Sequence, residues 1–403
     1  MKKVVCIVLC ALLVASIASV FVGCTPREEI LKIFMPGEYM DEDIFEDFAV
    51  WYKEQTGKNV KVKPSYFTAV EKIQQAVEGS KSDYDLLCPS DYMVEYLLSK
   101  DLIQPVDKNI IDIEQEGLFK AEYVNTTKEF DPTLKYAVPY MYGTLGIVYD
   151  KSKTGKDINS WDALFGTEFA GKRSLKDSIR DAYAAACLYN AGSELRGLTG
   201  AAQKIAVQKV FEDTTQATID AAGAALKAVV EGGAIWDGDD VKFDMAAKKG
   251  TTAVALMWSC DAGYVMNDHE DANGKPQKGN RDLWYVVPEE GGNVYIDAFV
   301  INTYAKNVEA ANWFLKYICQ KEIAMQNSEY AGAISPVASA YDAMYQQYTL
   351  DETGMFKGVS AEWKQMFMET MFPTPEILNR CGVMKDFKNG KTAVNAMWSD
   401  VQA

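Results

Sequence analysis

The sequence predicts an α/β protein of two lobes, on three observations. Short apolar strands alternate with amphipathic helices along the chain, the pattern of a mainly parallel sheet flanked by helices. The length, 403 residues, exceeds what one hydrophobic core usually serves, so two domains or lobes are expected. A composition of 48% hydrophobic and 24% charged residues supplies enough apolar surface for packed cores and excludes a disordered chain.

Lys2 and Lys3 precede a stretch over 4–22 that is apolar or small and carries no acid. That is the layout of a secretory signal peptide, although the same stretch is just long enough to span a bilayer. Gly23-Cys24 at its end resembles a bacterial lipobox, with Phe21 where a leucine is usual. On that reading residues 1–23 are removed, Cys24 is acylated, and 24–30 tether the protein to a membrane. Loss of the leader takes two lysines from a chain of formal charge −16, leaving −18. So acidic a surface repels phosphate backbones, and nucleic acid is not expected as a partner.

Residues 31–35 alternate as a strand and stop at Pro36-Gly37. Ile44, Phe45, Phe48, Trp51 and Tyr52 then recur at helical spacing, with Gly57 at the expected C-terminal stop. Val60 and Val62 begin another strand, 84–88 reads as a buried one, and a helix runs through Leu97 and Leu98. Segments 137–140 and 145–149 form an extended passage across a domain boundary. Beyond it come a strand ending at Leu175, a helix over 177–189, an alanine-rich helical stretch over 201–232, and strands over 254–258, 284–288 and 294–301. A helix over 308–326 carries Ala311, Phe314, Leu315 and Ile318 on one face.

Catalytic and metal chemistry find little support. His269 is the single histidine, in a polar run that reads as a surface loop, and no GxSxG elbow accompanies it. A two-histidine metal site is excluded, and without CxxC or a cysteine–histidine cluster a zinc site is not expected. Cys6 and Cys10 leave with the leader. Cys88, Cys187, Cys260, Cys319 and Cys381 remain, an odd, irregularly spaced set that reads as buried thiols rather than a disulfide framework. No enzyme activity, catalytic residue, cofactor or metal is expected.

The order of several segments carries a further reading. These are Ile33-Phe34-Met35-Pro36-Gly37-Glu38-Tyr39, Tyr84-Asp85-Leu86-Leu87-Cys88-Pro89-Ser90-Asp91-Tyr92 and Tyr136-Ala137-Val138-Pro139-Tyr140-Met141-Tyr142-Gly143. Then come Ser160-Trp161-Asp162-Ala163-Leu164, Met257-Trp258, Pro288-Glu289-Glu290-Gly291-Gly292 leading to Tyr295-Ile296-Asp297, and Gly332 to Pro336. Over about 31–345 this series resembles the spermidine/putrescine-binding family of ABC-transporter substrate-binding proteins. The resemblance implies the two-lobed periplasmic-binding-protein fold, each lobe a sheet flanked by helices, joined by crossing hinge strands. It places 31–140 with 297–340 in one lobe and 141–296 with 341–403 in the other. It further implies a monomer that binds a polyamine or other small cation, delivers it to permease subunits, and works outside the cytoplasm on its lipid.

By the same resemblance the ligand contacts are Glu38, Tyr39, Ser90, Tyr92, Asp181, Trp258, Tyr295 and Asp297. The chemistry suits a polyamine: carboxylates grip ammonium groups and aromatic faces line the chain between them. Ser90 also stands where a helix N-cap would, Asp181 could be a helix-surface charge, and Trp258 could be core. Tyr295 and Asp297, two apart in a strand, share a face. Three positions depart from the family: Pro36 and Ala333 replace aromatics and Ser178 replaces an acid. Trp236, Tyr142 and Tyr66 are the rings available to substitute; otherwise the ligand is a different solute.

Overall fold

A computed structural model describes residues 28–403 except 82, 238–239, 271–274 and 352–353. The leader, Cys24 and the tether up to 27 lie outside the described residues, as does the side chain of His269.

The first lobe starts with β1 (Glu29–Pro36), whose alternation buries Leu31, Ile33 and Met35. β1 lies parallel to β2 (Val60–Phe67) and β3 (Leu86–Leu87), with helix Asp43–Thr56 crossing between the first two. Gly57 ends that helix at φ 73°, a left-handed turn suited to glycine. The strand expected over 84–88 pairs across just two residues. Just before it, Asp85 keeps backbone bonds to Lys32 and Asn302, and its carboxylate accepts the backbone N–H groups of Lys32 (2.9 Å), Lys306 (2.7 Å) and Asn307 (3.0 Å). After β4 (Ile103–Gln104) the chain enters β5 (Val138–Asp150), one unbroken strand of thirteen residues, all buried.

The second lobe contains β6 (Arg173–Lys176), β7 (Ile235–Asp237) and β8 (Val254–Trp258). A small hairpin of β9 (His269–Glu270) and β10 (Pro276–Gln277) stands where a loop is expected. β11 (Leu283–Val286) follows, and β12 (Gly292–Asn302) runs back toward the first lobe; β13 (Cys381–Gly382) adds to its start. The order across the sheet is β2-β1-β3-β12-β5-β8-β6-β7. β5 and β12 are antiparallel partners, and each pairs with first-lobe strands at one end or second-lobe strands at the other. These two strands therefore connect the lobes. Their register shifts between Asp297 and Ala298, a bulge that opposes Asp297 to Met141 and Ala298 to Pro139. Bulges bend a strand and re-aim its side chains.

Two helical expectations need correction. The stretch 201–232 is two helices, Gly200–Glu212 and Gln216–Glu231. Asp213 accepts from Thr215 N (2.9 Å) and Thr218 Oγ1 (2.6 Å), and Thr215 caps the second helix, so local side-chain bonds interrupt the apolar pattern. The helix over 308–326 breaks at Cys319-Gln320 into Val308–Ile318 and Lys321–Ala331, a break that nothing in the local sequence marks. All five remaining cysteines are unpaired, and every one but Cys260 is buried.

Separate cores for the two lobes are the simplest expectation, and the packing differs. One core, built on Ile33, Phe48, Phe299 and Phe314, lies under a single face of the first lobe. The other joins Leu87, Tyr92 and Leu97 of the first lobe to Leu145, Ile147 and Val254 of the second. It is continuous because β5 is buried throughout and because the C-terminal segment packs across the lobes. There the Arg180 guanidinium lies between the rings of Tyr92 (4.0 Å) and Phe387 (3.5 Å), and Lys388 pairs with Glu95 at 3.0 Å.

Phe314 is fully buried against Phe48, Phe299 and Phe45. Phe314→Ala should cost about 3–5 kcal/mol of first-lobe stability, measured by denaturant unfolding; a loss under about 1 kcal/mol would contradict this packing.

Candidate functional site

Parallel strands present their carboxyl ends to one crevice, where ligands of such sheets bind. β1 runs out at Pro36 into the loop holding Tyr39, which is partly buried. The Tyr39 hydroxyl donates to Asp297 Oδ2 at 2.7 Å, while its own carbonyl accepts from Tyr140 at 2.6 Å. β3 leads to Ser90, which occupies the N-cap position of helix Asp91–Ser99 without capping it. Its hydroxyl instead donates to Asp297 Oδ1 at 2.5 Å. A backbone bridge between Ser90 and Asp297 fixes this arrangement at the bulge.

Asp297 is thus held by two neutral hydroxyls, and no described cation pairs with it. Burial pushes its carboxyl above the ordinary value; the bonds from Ser90 and Tyr39 oppose that shift, and the negative charge of Asp181 adds to it. A partly desolvated carboxylate in such a place favours a cation beside it.

The opposite wall comes from β6, β8 and β12. Ser178 caps helix Ile179–Asn190, its Oγ accepting from Asp181 N at 3.4 Å. The departure from an acid at this position is therefore a helix cap. Asp181 is buried and accepts from Trp258 Nε1 at 3.3 Å; burial raises its pKa, with Lys176 the largest opposing influence. Trp258 ends β8 and meets the Tyr295 ring edge-on, centroids 6.4 Å apart. Tyr295 donates to Cys260 Sγ at 3.2 Å. Its hydroxyl lies across Gly143 of β5, where a Cβ would fall 2.2 Å away, so that strand position needs glycine for Tyr295 to lie there.

Of the eight residues expected to contact ligand, Tyr39, Ser90, Asp181, Trp258, Tyr295 and Asp297 form this one cluster. Tyr92 stands aside from it, donating to Glu71 at 3.2 Å under the Arg180 guanidinium. Glu38 is exposed at φ 53°. The substitute rings are engaged elsewhere. Tyr142 stacks on Tyr123 at 3.8 Å, Trp236 packs on Trp398 at 4.9 Å, and Tyr66 donates to Glu42 on the surface at 2.8 Å.

The sequence reading missed a charged group beside Trp258. Asp261 pairs with Lys176 (3.3 Å) and Lys242 (2.8 Å), and the two lysines hold its carboxyl below the ordinary value despite burial. The Lys176 ammonium sits 3.5 Å from the centre of the Trp258 ring. The signal was available: Lys176 is the last residue of a strand, and Asp261 lies three residues beyond Trp258, in the first turn of helix Ser259–Met266. Among the described residues, no cluster of histidine, cysteine or acid could hold a metal ion, and no helix is long and apolar enough to cross a membrane.

A family model for bacterial extracellular solute-binding proteins matches residues 47–353. The chain belongs to that family. Solute-binding proteins of this family are transport components rather than enzymes, and act outside the cytoplasm. The spermidine/putrescine-binding periplasmic protein of Escherichia coli is 24% identical over 322 residues, covering 78% of this chain and 80% of its own. A structure from Listeria monocytogenes, attributed to a spermidine/putrescine ABC transporter, is 25% identical with a TM-score of 0.69, covering 93% of this chain and 99% of its own. The TpPotD lipoprotein of Treponema pallidum shares the fold at 18% identity and a TM-score of 0.67, covering 93% and 99%. The expected two-lobed periplasmic-binding-protein fold is the one observed.

The raised pKa of Asp297 has a definite sign. Stability it contributes is complete below the ordinary value of 3.8 and is lost as pH rises through the raised one. Asp297→Asn should therefore raise the unfolding temperature of the ligand-free protein at pH 7. The gain should vanish in acid, as read by thermal unfolding across pH; an equal gain at every pH would refute it.

Proposed function

We propose that this solute-binding protein captures a small solute bearing ammonium groups, of the kind represented by putrescine and spermidine, and delivers it to an ABC transporter permease. One observation carries the reading: Asp297, on a strand common to both lobes, is held by neutral hydroxyls and has no cation among the described residues. An ammonium group placed there would restore the charge balance and could add cation–π attraction from Tyr39 and Tyr295, about 0.5–2 kcal/mol per ring. The names of the relatives support the same ligand class.

The lobes divide as 31–140 with 297–340 and 141–296 with 341–403. Ligand contacts made to both would favour the closed arrangement, a population shift that needs no chemistry by the protein. Tyr39, Ser90 and Asp297 hold the ammonium end, with Tyr295, Trp258 and Asp181 along the other wall. Glu38 and Tyr92 act at the margin of the site. Acylation of Cys24 keeps the monomeric protein beside its permease, where a captured solute is handed over rather than lost by diffusion.

Two measurements test this. In thermal unfolding, an amine at 100 times its dissociation constant should stabilise the protein by about 2.7 kcal/mol, and Asp297→Asn should abolish the effect. Stabilisation by a sugar or an acidic amino acid, with silence from every amine, would overturn the ligand class. Labelled fatty acid should enter the protein in the producing cell and be absent from Cys24→Ser; equal labelling of both would remove the anchor from Cys24.

A further inference from the structure

We infer that Lys176 occupies, inside this site, a place that a second ligand ammonium would otherwise take, so that the site accepts a ligand engaging it through a single ammonium. The inference rests on the reading that Asp297 holds an ammonium, and it moves the preferred ligand, among amines, away from spermidine toward those with a single ammonium.

One face of the Trp258 ring is filled. An ammonium 3.5 Å from its centre is well inside the roughly 6 Å over which a cation is attracted to an aromatic face. That ammonium belongs to the protein. Lys176 is 7% exposed, at the end of β6, and its position is fixed by Asp261 at 3.3 Å.

The charge balance points the same way. Asp261 faces Lys176 and Lys242, and Asp181 feels Lys176 as its largest neutralising influence. Among the described residues, two acids and two lysines therefore stand together on the second-lobe wall. Asp297, across the site, has two hydroxyl partners and no described cation. A positive charge is therefore wanted at the Asp297 end rather than at Trp258. A second ammonium arriving at Trp258 would meet Lys176 and find Asp261 already paired.

The three sequence departures fit this geometry. Ser178 spends its side chain as a helix cap rather than as an acid, Ala333 is buried and small, and Pro36 offers no aromatic face. Each removes something a long polycation would use, and none removes a contact from Asp297. The ligand class is a short primary amine whose far end is uncharged, or a short diamine bound less well; a triamine is disfavoured.

The test uses the full chain, purified in detergent, with 1-aminobutane, putrescine and spermidine titrated calorimetrically. Affinity should fall in that order, with spermidine at least tenfold weaker than 1-aminobutane. Lys176→Met keeps the length of the side chain and removes its charge, while Asp261 retains Lys242 at 2.8 Å. That variant should bind putrescine and spermidine at least tenfold more tightly than wild type does, with the monoamine changed less than threefold. Tightest binding of spermidine by wild type, or an equal loss for all three amines in Lys176→Met, overturns the inference while leaving the ammonium reading intact. Binding of no amine by either protein overturns the ammonium reading, and the inference with it. If Lys176→Met does not fold, Lys176→Gln replaces it, and the wild-type order decides by itself.

Discussion

Taking a carboxylate out of water and leaving it without a counter-ion is expensive, and the architecture around Asp297 is arranged about that cost. The residue sits at the bulge where β12 shifts register against β5, so its side chain is turned away from the regular pleat. Ser90 arrives from the end of β3 and Tyr39 from the end of β1, each giving a hydroxyl to one carboxylate oxygen. Hydroxyls soften the desolvation without removing the charge. What remains is a place that a cation can neutralise, on an element both lobes share.

The opposite wall solves the same problem differently. Asp261 is paired with Lys176 and Lys242, Lys176 partly offsets the burial of Asp181, and Trp258 gives its edge to Asp181 and one face to Lys176. One crevice thus contains a satisfied half and an unsatisfied half. The crossing strands β5 and β12 connect the lobes, and the belt formed by Arg180, Tyr92, Phe387, Lys388 and Glu95 joins them beyond the site.

Much of the candidate site came from the resemblance, whose motifs sit at punctuation marks of the chain. Tyr39 follows a strand that ends at Pro-Gly, Ser90 precedes a helix, Trp258 closes a strand, and Tyr295 and Asp297 stand two apart within another. Tyr92 lay at the right place in the chain, yet its ring turns to Arg180 and its hydroxyl to Glu71. A helix position fixes which face a residue occupies, and the partner across that face comes from a distant segment. For the same reason Tyr142, Trp236 and Tyr66 were plausible substitutes on composition and are spent elsewhere in three dimensions.

The sequence by itself determined the α/β class, the two lobes and most strand and helix positions, because periodicity, turn residues and strand ends are local properties. Helix breaks at 213–215 and 319–320, the shared core and the role of Ser178 as a cap needed the structure. Above all, tertiary structure decided the charge balance. Lys176 and Asp261 are 85 residues apart, and no local pattern says that one will neutralise the other. Electrostatic pairing follows distance in space, and the chain sets that distance only once β6 and β8 lie side by side.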